Sequence, residues 1–141
     1  MDLFLLAEMG GRTVAIDADQ VHSVVDIGEI IPVPRANPCV RGLVALRSRV
    51  VTVICTRIAM GLPVPKQAAK RAIITNIDGH FYAVLVDSLE DVAPFTRLPL
   101  MSGVLLEGGW RALGVGMIER DDEPVLIVDL SALIARQSLA A

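Results

Sequence analysis

Aromatic residues are scarce in this sequence: Phe, Trp and Tyr together make up 4% of it. Bases stack on aromatic rings, and no basic stripe extends beyond the short Lys66–Arg71 stretch. The net charge is −3 with both signs interspersed, so no nucleic-acid surface is expected. Long apolar runs are missing as well. The run that opens at Leu3 stops at Glu8 with no basic residue before it, which fits neither a signal peptide nor an anchor. Nothing elsewhere approaches the ~20 apolar residues that span a bilayer, so direct membrane insertion is not expected. The two cysteines, Cys39 and Cys55, form no CxxC pair. Without a secretion signal they read as reduced thiols of a cytoplasmic protein.

The usual carriers of chemistry are absent too. His22 and His80 stand apart, with no partner at ligand spacing, and with the cysteines they make no zinc pattern. No serine sits in a G-x-S-x-G elbow. Asp121-Asp122-Glu123 lacks the glycine and ligand spacing of a calcium loop and reads as a solvated hairpin turn. Gly108-Gly109, Gly114 and Gly116 lack the strand–loop–helix setting of a phosphate cradle and mark bends in strands instead. No catalytic residue, metal ligand or cofactor is expected, and the chain does not read as an enzyme.

What is present is branched aliphatic mass. Hydrophobic residues make up 53% of the 141 positions, mainly Val, Ile, Leu and Ala, a composition suited to half-buried strands. A chain of this length fits one domain or two small subdomains, and needs no disulfide or metal to fold. Short apolar runs recur between turn residues. Leu3–Met9 and Arg12–Ile16 flank Gly10-Gly11, Gly42–Leu46 and Val50–Ile54 flank Arg47-Ser48-Arg49, and Ala72–Ile77 and Phe81–Val86 flank Asp78-Gly79. Each pair predicts a hairpin. Asp17–Val25 predicts a helical turn capped by Asp17 or Asp19, then a strand, and Ser88–Ala93 a further strand. Leu113–Ile118 and Pro124–Val128 pair across Glu119–Glu123. Pro32, Pro34 and Pro38 hold an extended connector. Thr56–Met60 predicts a short helix ending at Gly61, and Leu62–Arg71 a linker. Pro94 to about Gly109 predicts a loop, and Asp129–Leu139 an amphipathic helix with Leu130, Leu133 and Ile134 on its apolar face.

The halves also repeat. Gly11, Ala15, Asp19, Val21 and Val24 match Gly79, Ala83, Asp87, Leu89 and Val92 at one constant offset. Gly42, Leu43, Val44, Val51, Val53 and Ile54 match Gly116, Met117, Ile118, Val125, Ile127 and Val128 at a second, slightly longer one. Two collinear blocks argue for two related β-units of about five strands each. Closing each into a small barrel hides its edges and one face. The expectation is an all-β chain: two five-stranded, SH3-like β-barrel subdomains packed side by side, with short helices including one at the C-terminus. Subdomain one spans about 10–62, subdomain two about 70–130, and the C-terminal helix about 129–139, all within a single domain over 1–141. Arg47 falls at a hairpin tip with apolar residues behind it, a chemistry that suits an interface anchor as well as a solvated turn. The corresponding place in the second repeat holds Asp121.

The stretch Pro32–Val51, and within it Val40-Arg41-Gly42-Leu43-Val44-Ala45-Leu46-Arg47-Ser48-Arg49-Val50-Val51, resembles the CheW-like domain of bacterial chemotaxis coupling proteins, whose pattern there is V-x-G-V-x-N-L-R-G-x-V-V. Ala83–Val92 and Val125–Leu130 resemble that family's second half and ending. Ala45 and Ser48 replace the usual Asn and Gly, Thr52 a common Pro, Cys55 a common Asp, and Cys39 a frequent aromatic residue. The resemblance implies a signal-transduction adaptor of a two-component system, coupling the regulatory domain of the histidine kinase CheA to the cytoplasmic tip of methyl-accepting chemoreceptors. It implies receptor contact at Arg47, Gly42, Val21 and the adjoining Leu46. Kinase contact is expected in the second half around Val84–Asp91, at Val84, Val86 and Leu89. Two alternatives stand beside it: a diverged assembly or inhibitory module with other partners, and a small β-barrel hydrolase using His22 or His80. A glycine-to-serine change at Ser48 is expected to tighten or re-aim the hairpin tip.

Overall fold

Turn chemistry sets the strand pairing. In the computed structural model, residues 1–64, 69–100, 106 and 108–136 are described. Gly10-Gly11 (φ 60° and 82°), Asp78-Gly79 (52° and 84°) and Asp121-Asp122 (52° and 65°) all place two successive residues at positive φ. This is the two-residue turn whose twist matches antiparallel strands. It joins β1 (Asp2–Met9) to β2 (Arg12–Asp17), β6 (Arg71–Ile77) to β7 (His80–Val86), and β9 (Gly114–Arg120) to β10 (Glu123–Val128). The fourth hairpin, β4 (Val40–Leu46) to β5 (Arg49–Ile54), turns through Arg47 and Ser48. There it is Arg47 that takes the positive φ, 56°, and not Ser48. The expected strain at the serine therefore falls on the arginine instead.

After β2 a single 3-10 turn covers Ala18–Gln20, capped by the Asp17 carboxylate accepting from the Asp19 amide. Then follow β3 (Ser23–Asp26) and, between the repeats, α1 (Thr56–Ala59); β8 (Ser88–Phe95) comes later. The stretch taken for a loop up to about Gly109 ends in a short helix that the sequence pattern did not announce, α2 (Gly109–Leu113), so β9 starts at Gly114. The described part of the C-terminal helix, α3, runs Leu130–Arg136; residues 137–141, like 65–68 of the expected linker, lie outside the described residues.

Among the described residues ten strands form two five-stranded sheets, ordered β8-β1-β2-β10-β9 and β3-β6-β7-β5-β4. The sheets do not follow the expected division at about 62–70. Each takes its central hairpin from one repeat and its other three strands from the other repeat. Under the repeat, β1 to β5 correspond to β6 to β10, and the two sheet orders become identical. The registers agree to the residue. Parallel pairing matches Leu126 with Val14 in one sheet and Thr52 with Tyr82 in the other, and these are equivalent positions. The register shift at Val40/Gly42 recurs between Gly114 and Gly116, opposite Val128 and Ile127. Isolated bridges Ile31–Leu43 and Leu98–Met117 also correspond.

Exchange explains why the central strands are apolar on both faces. Phe4, Leu6, Ala15, Ile118, Val125 and Ile127 fill one curled sheet. Val44, Val51, Val53, Ile74, Ala83 and Leu85 fill the other. Residues one step out of phase, such as Leu5, Val14, Ile73, Val84, Leu126 and Val128, form a shared layer between the sheets with Leu113, Leu130 and Leu133. Since side chains alternate along a strand, one continuous run serves two cores. The shared layer is also tied by polar contacts. Gln20 donates from Nε2 to the Asp129 carboxylate at 2.6 Å and accepts the Leu130 amide at 2.9 Å.

Candidate functional site: an arginine-tipped hairpin beside an apolar groove

β4 and β5 project a hairpin whose tip is Arg47, exposed along with Ser48, Arg49 and Val50. The base of that hairpin is rigid for a specific reason. Gly42 adopts φ 144°, and a Cβ there would stand 2.3 Å from the Ile31 carbonyl oxygen. The segment at Ile31 lies flat against β4, donating to the Leu43 carbonyl and accepting the Leu43 amide, both at 2.8 Å. Only glycine lets the two backbones approach so closely. Gly42 is buried, so it acts on this surface through the backbone.

Behind the tip, the guanidinium of Arg49 lies over the Phe81 ring at 4.1 Å. Phe81 in turn meets His22 edge-on, with ring centroids 5.1 Å apart. Arg49, Phe81 and His22 come from β5, β7 and the residue before β3, and they close one end of the curled sheet whose core Phe81 and Leu46 pack against. Val21, next to His22, is half-buried against the shared layer. Of the receptor-side residues expected from the sequence, Leu46 shares a core with Phe81 and pairs with Arg49, Val21 adjoins His22, Arg47 stands at the tip, and Gly42 lies apart against Ile31. The sequence reading missed Arg49 and Phe81. The only sign was an aromatic residue in a chain poor in them.

A groove of about 870 Å3 runs alongside, between β4–β5, the β6–β7 turn and α3, with Val33, Leu43, Val50, Phe81 and Ile134 among its walls. Val50 is 67% exposed and Ile31 nearby 65%, unusual for β-branched residues without a cover. Arg49, Asp78 and His80 supply polar edges. An apolar trough with a polar rim and a guanidinium at its end is the chemistry of a helix-in-groove contact.

Val84 and Val86 do not belong to any surface. They are 0% and 2% exposed, inside the shared layer, because every second residue of β7 points there and the others fill the sheet's own core. Leu89 is half-buried on β8, paired with Ala7 of β1 in the sheet that does not contain β7. Beside it Glu90, Asp91 and Val92 are exposed on an edge strand, and Glu90 is bonded to Arg120.

Neither histidine joins a metal-binding cluster; among the described residues no group of His, Cys, Asp and Glu could hold an ion. Cys39 and Cys55 are buried free thiols on neighbouring strand ends, joined by a 2.7 Å hydrogen bond from the Cys55 amide to the Cys39 carbonyl. Burial pushes the Cys39 thiol above its ordinary pKa, which disfavours the thiolate. Among the described residues no helix is long and apolar enough to cross a membrane.

Two interlocked β-barrels with a projecting hairpin and an open apolar groove define a scaffold module that works by contact. The chain belongs to the CheW-like domain family, whose model matches residues 3–138; it is an adaptor rather than an enzyme. It is 24% identical over 128 residues to the chemotaxis protein CheW of Thermotoga maritima, covering 90% of this chain and 83% of that protein. Its fold matches the crystal structure of the scaffolding protein TtCheW from Thermoanaerobacter tengcongensis with a TM-score of 0.80. That match is at 22% identity and covers 94% of this chain and 91% of the other.

Proposed function

We propose that this adaptor works in chemotaxis signalling in the cytoplasm, holding the regulatory domain of the histidine kinase CheA against the cytoplasmic tip of methyl-accepting chemoreceptors. The observation that carries the reading is the family match combined with the Arg47-tipped hairpin beside the groove. A receptor tip offers helices, and a helix laid in the groove would meet the Arg49 guanidinium in its wall, with Arg47 two residues away at the hairpin tip. Kinase contact is assigned to the exposed part of β8, Glu90 to Val92 with Leu89 behind it. The two contacts then lie on different sheets of one rigid body. Signal passes as a bias on the states of the bound kinase, which needs only different contact energies in those states.

The test is Arg47→Glu in a pull-down with a receptor signalling fragment and, separately, with the kinase regulatory domain. Receptor capture should fall while kinase capture persists. Unchanged receptor capture by the charge-reversed protein overturns the assignment of the hairpin.

A further inference from the structure

The molecule carries a second recess, apart from the groove. A cleft of about 380 Å3 opens between the start of β4, α1, the end of β7 and the segment entering β6. Four cations line it, Arg41, Arg57, Lys70 and Arg71, against a single carboxylate, Asp87. This concentration of positive charge sits on a chain whose net charge is −3.

The existing partners do not balance it. Asp87 accepts at Oδ2 from Arg57 Nη2 at 2.9 Å and from the Gly11 amide at 2.8 Å. Arg71 bonds Asp26 at 3.1 Å. Arg41 and Lys70 pair with no carboxylate among the described residues. The hydrogen-bond partner of Arg41 there is the Cys55 sulfur, 3.8 Å from Nη2, a weak acceptor. Moreover, Arg41 Nε and Arg57 Nε are both buried with no hydrogen-bond acceptor among the described residues, a state that native proteins rarely leave unanswered. Arg41 and Arg57 are half-buried, while Lys70 and Arg71 are exposed, so the inner donors have charged groups at the mouth above them.

We propose that this cleft binds a phosphoryl group in its dianionic form. Two cations without a carboxylate among the described residues call for a ligand of about two negative charges, which a phosphoryl group carries near neutral pH at −1.5 to −2. Its three oxygens can accept from the Arg41 and Arg57 guanidinium groups and the Lys70 ammonium that line the cleft, and guanidinium geometry suits that pairing. The volume falls within the ~300–1,000 Å3 range of small-molecule sites. Val64, exposed and in the lining, gives an organic substituent an apolar wall. The site is independent of the adaptor reading, and its test does not involve kinase or receptor.

Inorganic phosphate is titrated into the purified protein at constant ionic strength, with chloride exchanged for phosphate, and binding is read by calorimetry and by amide shifts. Saturable binding is expected, with Arg41→Gln and Lys70→Gln each weakening it about tenfold. Arg47→Glu should leave it unchanged. Lys70 is on the exposed rim, so Lys70→Gln carries the test if Arg41→Gln fails to fold. Absence of saturation overturns the proposal, as does equal affinity in the folded variants. Succinate binding as tightly as phosphate, with the same sensitivity to the variants, overturns the phosphoryl assignment in favour of a carboxylate.

Discussion

Gly42→Ala is the most telling single change, because the structure fixes its size from two separate sources. The added Cβ would come within 2.3 Å of the Ile31 carbonyl oxygen and 2.7 Å of Ile30 Cγ2. The strap at Ile31 must therefore leave β4, and its two 2.8 Å hydrogen bonds with Leu43 go with it. At ~1 kcal/mol net each, their loss costs about 2 kcal/mol. An alanine held at φ 144° adds about 1–3 kcal/mol of backbone strain. The expected total is about 3–5 kcal/mol. With a urea slope near 2 kcal/mol per molar, the unfolding midpoint should fall by roughly 1.5–2.5 M. Two companion variants calibrate the reasoning. Gly116 is the repeat equivalent, but its Cβ would meet the Leu98 carbonyl at 3.0 Å and its φ is not in the left-handed range, so Gly116→Ala should cost about 1 kcal/mol. Gly28 has nothing within 4 Å of a Cβ, and Gly28→Ala should be neutral or stabilising by up to about 1 kcal/mol. Urea unfolding followed by circular dichroism gives all three. A loss of under about 1 kcal/mol for Gly42→Ala, or a reversed order of Gly42 and Gly116, would refute the close strap.

Val84→Ala should lower stability by about 2 kcal/mol, from two lost methyl groups and a residual cavity; thermal unfolding measures it, and kinase capture by the folded variant should be unchanged. Asp129 caps α3, accepting from the Ser131 amide at 3.0 Å and its hydroxyl at 2.6 Å. Burial alone would raise its pKa, but the hydrogen bonds from Ser131 and Gln20 outweigh that and hold it below the ordinary 3.8. A lowered folded-state pKa adds stability above the unfolded value and loses it as pH falls through the folded one. Asp129→Ala should therefore cost about 1–2 kcal/mol at neutral pH. The gap between native and variant should narrow as pH falls from 3.8 through the lower folded-state value, and a gap that stays constant into acid would count against the cap.

Much of the local structure was legible in the residues. Gly10-Gly11 and Asp78-Gly79 announce two-residue turns, the prolines hold an open connector, and Asp17 caps its turn, since each depends on backbone angles a few residues wide. Arg47 was placed at a hairpin tip on the same grounds, and the structure exposes it there. α2 was not legible, because its five residues, Gly109–Leu113, are too short for a helical period and open on two glycines. Arg49 over Phe81 could not be read either, as the two are joined only by packing between β5 and β7.

Sequence by itself determined the strands, their hairpins and the fact that two equivalent units exist. Local turn chemistry and a period of two need no knowledge of distant neighbours. Only the tertiary structure decided which strands share a sheet. A parallel pair such as β5–β7 or β10–β2 has no turn to declare its register, so the exchange between repeats leaves no local trace. It also decided which apolar residues face a partner. At Val84 and Val86, where the family resemblance implied kinase contact, both faces of β7 are covered, so the two residues form the seam between two cores.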